Sequence, residues 1–298
     1  MAEQRPKLAS MFKALVLVKL AYVVALGAAV AVGYAVGDRH PIIVVLAADI
    51  AATLVIYAFA RVYRNASFYD PYWSTAPLVI GLYYVIGTAV EGAEFARQVA
   101  VVTLVFIWGI RLTYNWASQW RGLKHEDWRY ADFRRNTGRR FWFVELTGIE
   151  MIPTIVVFLA CMSLYPALSS GTNAFGVLDW AAIAVTGGAI LLEVTADAQM
   201  RRFRRENPEP GRIMDRGLWR YSRHPNYLGE ISLWWGLFIF AMAADQSYWW
   251  CVFGPVAMTL LFLFISIPMI DKRHLERRPG YAEHMKKTSA LIPWFPRK

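Results

Sequence analysis

The sequence predicts an all-α fold, a polytopic transmembrane helical bundle of seven to eight spans, with eight the expected number. Three observations carry this. Hydrophobic residues make up 57% of the 298-residue chain and charged residues 18%, where soluble domains hold roughly 45–50% and about 25%. The apolar residues gather into eight runs near the length that a spanning helix needs, about 20 residues. The charges lie between those runs, in blocks whose placement fits a membrane topology better than a solvated surface.

The first run, Leu15–Val36, is longer than the apolar core of a signal peptide. No clear small-residue cleavage site leads into a soluble remainder, so it reads as a span. Gly37-Asp38-Arg39-His40-Pro41 then supplies a turn into the second run, Ile42–Ala60. Asn65–Pro71 is a non-helical connection, with Asp70-Pro71 biased towards extended backbone. The third and fourth runs, Ala76–Val90 and Val99–Tyr114, are short and need tilt or polar extensions. Ile152–Leu168 and Trp180–Ala198 follow, and Asn207-Pro208-Glu209-Pro210-Gly211 stops the helix after them. Tyr227–Ala244 and Trp250–Ile270 complete the set. No repeat or linker divides the chain, so residues 1–298 form a single membrane domain, with N-terminal helices over 1–60.

The net charge is +10, and its distribution sets the expected orientation. Residues 111–140, 201–223 and 271–298 hold 24 of the 32 basic and 9 of the 22 acidic residues, leaving the rest net negative. Pro166–Asp179 and Ala243–Ser247 contain no Lys or Arg. The positive-inside rule then places the basic loops and both termini in the cytoplasm, with Arg5, Lys7, Lys13, Lys19, Arg61 and Arg64 in agreement. The expected location is an integral, multi-pass membrane protein, in the inner membrane if the source is bacterial. Topology accounts for most of the basic excess, and a nucleic-acid partner is not expected. Cys161 and Cys251 sit in apolar runs and read as small buried hydrophobes.

Ionisable residues inside spans are costly and mark candidate sites. Asp49, Glu193, Asp197 and Glu230 qualify, with Glu145 and Glu150 near a span entrance. Glu193, Asp197, Arg201 and Arg204-Arg205 recur at helical spacing and share one face. That face is either a ladder of ion pairs snorkelling to headgroups or a grip in which guanidinium groups hold phosphates. The densest polar string runs from Gly217 to Glu230 and includes Arg223, His224, Asn226 and Tyr227. It is either a headgroup-level turn or an anion site at a helix start. Phe68-Tyr69-Asp70-Pro71-Tyr72-Trp73 places one carboxylate and two phenols at the next helix entry, where Asp70 is a cap or an acid. Trp108–Thr113 and Glu126–Tyr130 also stand out. The five histidines show no metal-ligand spacing, so no metal is expected, and no Rossmann or P-loop string occurs.

In the strings Tyr69–Ser74, Trp108–Leu112, Glu126–Tyr130, Ser222–Glu230 and Gly280–Pro293, the sequence resembles the steroid 5-alpha-reductase superfamily, in particular its bacterial DUF1295-type integral membrane proteins. The likeness runs over residues 68–298, and the first span looks like an addition to the family plan. It implies a bundle that binds NADPH in its C-terminal helices and cytoplasmic loops and reduces a C=C bond conjugated to a carbonyl. By the same resemblance Glu193, Asp197, Arg201, Arg204, Arg212, Arg223, His224, Asn226, Tyr227, Glu230 and His274 fall at cofactor positions, Glu193 standing where the family has Asn. Tyr69-Asp70 replaces the Gln-Glu pair that polarises the steroid enone.

The expected activity is therefore an NADPH-dependent oxidoreductase acting on a lipophilic enone, a steroid or a related lipid. Asp70 would donate the proton, with Tyr69, Tyr72 or Tyr114 beside it. One rival is an S-adenosylmethionine-dependent methyltransferase of the isoprenylcysteine or phospholipid type, which shares the Arg223–Tyr227 pattern but usually shows a Glu-Glu pair that Asp271 and Glu276 do not form. Another is a non-catalytic lipid-binding or transport protein, for which the matching repeats are missing.

Overall fold

In the computed structural model, residues 8–207 and 209–297 are described; Arg5, Lys7 and Pro208 lie outside them. The chain opens with two long apolar helices, α1 (Leu8–Ala35) and α2 (Pro41–Tyr63). Proline at the first position of α2 fits, because the missing N–H would have no helical partner there, and the His40 side chain accepts from the Ile42 N–H. Helix α2 ends on Arg64 in the left-handed region, φ 53° and ψ 42°, with its N–H turned back to the carbonyls of Ala60 and Arg61. An arginine there costs about 1 kcal/mol more than glycine.

Helix α3 (Tyr72–Gly87) and α4 (Phe95–Gln119) form a hairpin whose crossing is set by one glycine. A Cβ at Gly109 would lie 2.6 Å from the Ser74 carbonyl oxygen, so only glycine permits this approach. A short amphipathic helix, α5 (Trp128–Thr137), leads through α6 (Phe141–Val144), a π-helical stretch Glu145–Met151 and α7 (Ile152–Cys161) to a second π stretch, Pro166–Ser170. Both π stretches adjoin a proline, Pro153 or Pro166, whose missing N–H prevents regular helical pairing.

The long helix α8 (Val177–Glu206) pairs along its length with α9 (Pro225–Ala244). Lipid tails are as apolar as leucine, so helices in a bilayer associate through close packing of small residues. Gly229 is such a residue, since a Cβ there would meet Glu193 Cγ at 2.5 Å. Three further helices, α10 (Phe253–Leu261), α11 (Ile267–Arg277) and α12 (Tyr281–Lys287), complete the chain, with another π stretch, Phe262–Ser266, just before Pro268.

The protein is thus a polytopic helical bundle, with no strand among the described residues. Among the described residues seven helical segments are long and apolar enough to cross a membrane, against the eight expected. The difference is α3: its 16 residues fall short of the usual span. The fourth run, also expected to be short, lies in a helix of 25 residues. The main core lies among α3, α4, α7, α8 and α9, while α1 packs on α2 through Ala14, Val18, Ala21 and Ala25.

Candidate functional site

The candidate polar residues inside the bundle fall into four clusters among the described residues. The first joins α4, α8 and α9. Arg111 donates to Glu193 and, at 2.9 Å, to Asp197 Oδ2. Asn115, one turn after Arg111, donates to the same Asp197 oxygen at 2.9 Å and accepts from Arg201 at 3.3 Å. Glu230 receives two indoles, Trp108 Nε1 at 3.0 Å and Trp234 Nε1 at 2.9 Å. Arg111 Nε and Glu193 Oε1 are buried without a partner. A buried polar atom left open is costly and is expected where a ligand completes the bonding. The counter-charge for the two acids on α8 therefore comes across the bundle from α4. Arg201 and Arg204, further along α8, are exposed at its end.

The second cluster surrounds Asp70. The loop before α3 is stitched to the segment before α5: Asn65 donates to the carbonyls of Leu123 and His125, Glu126 accepts from the Ala66 N–H, and Ser67 Oγ accepts from the Asp127 N–H. This brings Tyr130 to Asp70, with a 2.6 Å hydrogen bond from the phenol to Oδ1, and places Arg129 at 3.7 Å. Asp70 makes no capping bond, since the cap position of α3 is Pro71. Burial pushes the Asp70 carboxyl up to about 6, against the opposing pull of Arg129 and the Tyr130 bond.

Tyr69 and Tyr72 belong to a third cluster. The Tyr72 hydroxyl donates to Asp49 Oδ1 at 2.6 Å, and Tyr69 shares a 2.9 Å bond with Thr154, itself 2.9 Å from Thr53. Their rings stack on one another, centroids 5.3 Å apart. Asp49 Oδ2 and both carboxyl oxygens of Glu150 are buried without partners nearby in the fold. The structure thus directs Tyr69 and Tyr72 to Asp49 and Thr154 and gives Asp70 a different phenol. Tyr114 does not join it either: it is 70% exposed on the outer face of α4, while Asn115 faces inward.

The fourth cluster closes the chain's end. Asp271 accepts from Arg223 at 2.7 Å and from Tyr281 at 2.7 Å, and lies 3.0 Å from His224 Nε2. Arg223 also donates to the carbonyls of Met285 and Thr288, and its N–H bonds the Ser289 oxygen at 2.8 Å. His224 stacks on Tyr227, and His274 meets the Tyr281 ring edge-on. Arg223 and His224 thereby engage Asp271 and the tail, while Arg223 Nε stays buried without a partner. Asn226 is half-buried in the first turn of α9, and Arg212 pairs with Glu209 at the surface, 3.2 Å away.

Sequence spacing did not identify Arg111, Asn115 or Tyr130 as partners of these groups. The signals are present in the sequence, since 108, 111 and 115 lie on one helix face and Tyr130 closes the Glu126–Tyr130 string.

The first three clusters meet around α3 and α4, and all their residues except Asp49 and Thr53 lie within a single family profile. That profile, "Protein of unknown function (DUF1295)", matches residues 56–288. The chain belongs to the DUF1295 family. The match begins within α2 and leaves α1 outside it. The chain is also similar to an uncharacterized protein of the fission yeast Schizosaccharomyces pombe, 25% identical over 282 residues, covering 86% of this chain and 80% of the yeast protein. No solved structure matches the chain significantly.

Proposed function

We propose that this DUF1295 protein is an integral membrane reductase of the steroid 5-alpha-reductase superfamily. It takes NADPH at the α4–α8–α9 cluster and reduces the carbonyl-conjugated C=C bond of a lipophilic substrate. The observation that carries this reading is the link between the acid and that cluster. Three residues after Asp70, the Trp73 ring lies edge-on to Trp108 with centroids 6.3 Å apart, and Trp108 is the indole that holds Glu230.

The residues suit a dinucleotide. Arg111 Nε and Glu193 Oε1 are open, one a donor and one an acceptor, for the amide and hydroxyl groups of such a ligand. Exposed Arg201 and Arg204 offer planar guanidinium groups for its phosphates. When bound, the cofactor supplies a hydride to the β-carbon. Asp70, in the protonated form that its raised value of about 6 makes accessible, donates its proton to the carbonyl oxygen. Tyr130 holds the Asp70 carboxyl in place through Oδ1, leaving Oδ2 to carry the proton towards substrate. Trp108 and Trp234 keep water from Glu230 and fix its orientation. The basic blocks and both termini face the cytoplasm, with α3 as an eighth crossing shielded by its protein neighbours.

The deciding experiment is thermal melting of the detergent-purified protein with NADPH, NADH and S-adenosylmethionine, since stabilisation grows with ligand over Kd. NADPH is expected to stabilise, by about 2.7 kcal/mol at a hundredfold excess over Kd. Selective stabilisation by S-adenosylmethionine, or none by any of the three, overturns the reading. Consumption of NADPH with a panel of enone lipids, 3-oxo-4-ene steroids among them, then identifies the substrate class.

A further inference from the structure

Away from the four clusters, a cavity of about 240 Å³ lies where the end of α2 meets the joint between α5 and α6. Four guanidinium groups line it, from Arg61, Arg64, Arg134 and Arg139, together with Phe141 and Trp142. An adjoining hollow of about 610 Å³ shares Arg139 and adds Arg140 and Phe143.

Two of the four cations are neutralised. Arg61 pairs with Glu145 at 3.0 Å and Arg134 with Glu126 at 2.6 Å. Arg134 is further fixed flat over the Phe141 ring, 4.0 Å from its centroid. Arg64 and Arg139 have no ion pair among the described residues, so the cavity keeps an excess of two positive charges. Such a cluster repels itself unless an anion enters it, and planar guanidinium groups fit phosphate oxygens two at a time.

The position of the cavity selects the kind of phosphate. Arg61 is in the last turn of α2, a helix apolar enough to span, so the cavity sits at the level where hydrocarbon gives way to headgroups. Trp142 and Phe143 are 51% and 55% exposed on its rim. Exposed aromatic rings at that level mark the membrane interface, where one side is apolar and the other wet. A basic pocket between spanning segments at this depth is suited to a lipid headgroup.

We propose that this cavity binds the phosphate of an anionic phospholipid headgroup. Arg64 and Arg139 are its free cations, Arg61 and Arg134 its fixed walls, and Trp142 and Phe143 lie against the glycerol and upper acyl chains. The site is independent of the reductase reading, because none of its arginines belongs to the α4–α8–α9 cluster or contacts Asp70.

The test is native mass spectrometry of the detergent-purified full chain titrated with phosphatidylglycerol or phosphatidylcholine. The wild type is expected to retain phosphatidylglycerol preferentially. In the Arg64→Gln/Arg139→Gln double variant that preference is expected to fall by about tenfold or more. A control with Arg216→Gln/Arg220→Gln, two exposed arginines of another basic block, is expected to keep it. The two arginines replaced in the cavity make no ion pair, so melting temperatures of the variants should match the wild type and exclude a folding defect. An unchanged preference in the double variant, or equal retention of both lipids, overturns the proposal. Displacement of the bound lipid by millimolar inorganic phosphate or by NADPH also overturns it, by assigning the cavity to a soluble phosphate.

Discussion

The two ends of α8 put charge to opposite uses. Near its start, Asp179 takes Arg97 in a bidentate pair, 2.6 Å to Oδ1 and 2.9 Å to Oδ2. The remaining Arg97 donors reach the carbonyls of Asn173, Ala174 and Ala243, and both side chains are almost wholly buried. Nothing is left over: the pair rivets α4, α8 and the end of α9. Further along α8, Glu193 and Asp197 share one Arg111, and a buried donor and acceptor stay open. Both clusters are made of arginine and carboxylate. The closed one has stability as its only evident product, whereas the open one keeps bonding capacity for something else.

Breaking the closed end has the largest expected effect. Arg97→Met leaves Asp179 buried and unpaired, which costs about 3–5 kcal/mol. Melting in detergent should show a large drop, mostly recovered in Arg97→Met/Asp179→Leu, where no charge remains buried. If the double variant melts as low as the single one, the rivet acts through shape and not through charge satisfaction. At the separate Asp70 cluster the loss should fall on turnover instead. Asp70→Asn removes the transferable proton and is expected to lower kcat by about 10²–10⁴-fold while NADPH stabilisation persists. Equal loss of both would make Asp70 a structural residue.

Which parts of this contrast were legible in the sequence follows from distance along the chain. The spans were readable because each is a local run, and Glu193 and Asp197 stood out as charges within one. Their partner was not readable, because Arg111 lies 82 residues before Glu193, whereas Arg201 offered itself at the local spacing of four. The same holds for Tyr130, 60 residues after Asp70. The resemblance offers Tyr114 as the phenol on the next helix, but Arg111, at i−3, faces inward beside Asn115, at i+1, and the phenol between them turns outward. For Arg97 the signal is local: a lone arginine in the first turn of an apolar helix needs a buried partner, and Asp179 near the start of another supplies it. The third run read as a span because Ala76–Val90 is apolar, while its helix ends at Gly87.

The exposed end of α8 sharpens the comparison from outside. Arg201→Ala with Arg204→Ala removes two groups offered to phosphates, and NADPH affinity is expected to weaken about tenfold to a hundredfold. Stability should change little, because surface substitutions usually stay within about 0.5 kcal/mol. Isothermal titration and melting on the same samples separate the two effects. A large fall in melting temperature with affinity intact would make the end of α8 a second rivet.

The smallest predicted effect is also the most specific to Asp70. Its carboxyl is raised to about 6 by burial, and Arg129 opposes that rise more than the Tyr130 bond does. A raised folded-state value means that the neutral form is favoured at low pH and that its stabilising contribution is lost as pH rises through about 6. If the neutral acid is the donor, kcat/KM should be flat below that pH and fall above it, since this parameter reports the free enzyme. Tyr130→Phe removes a bond that favours the ionised form, so the fall should move to higher pH. Arg129→Gln removes the larger opposing influence and should move it further. The order wild type, Tyr130→Phe, Arg129→Gln is the diagnostic feature, independent of absolute rate. A profile that rises with pH would make Asp70 act as a base, and the proton for the carbonyl oxygen would then have to come from the Asp49–Tyr72 pair on the other side of α3.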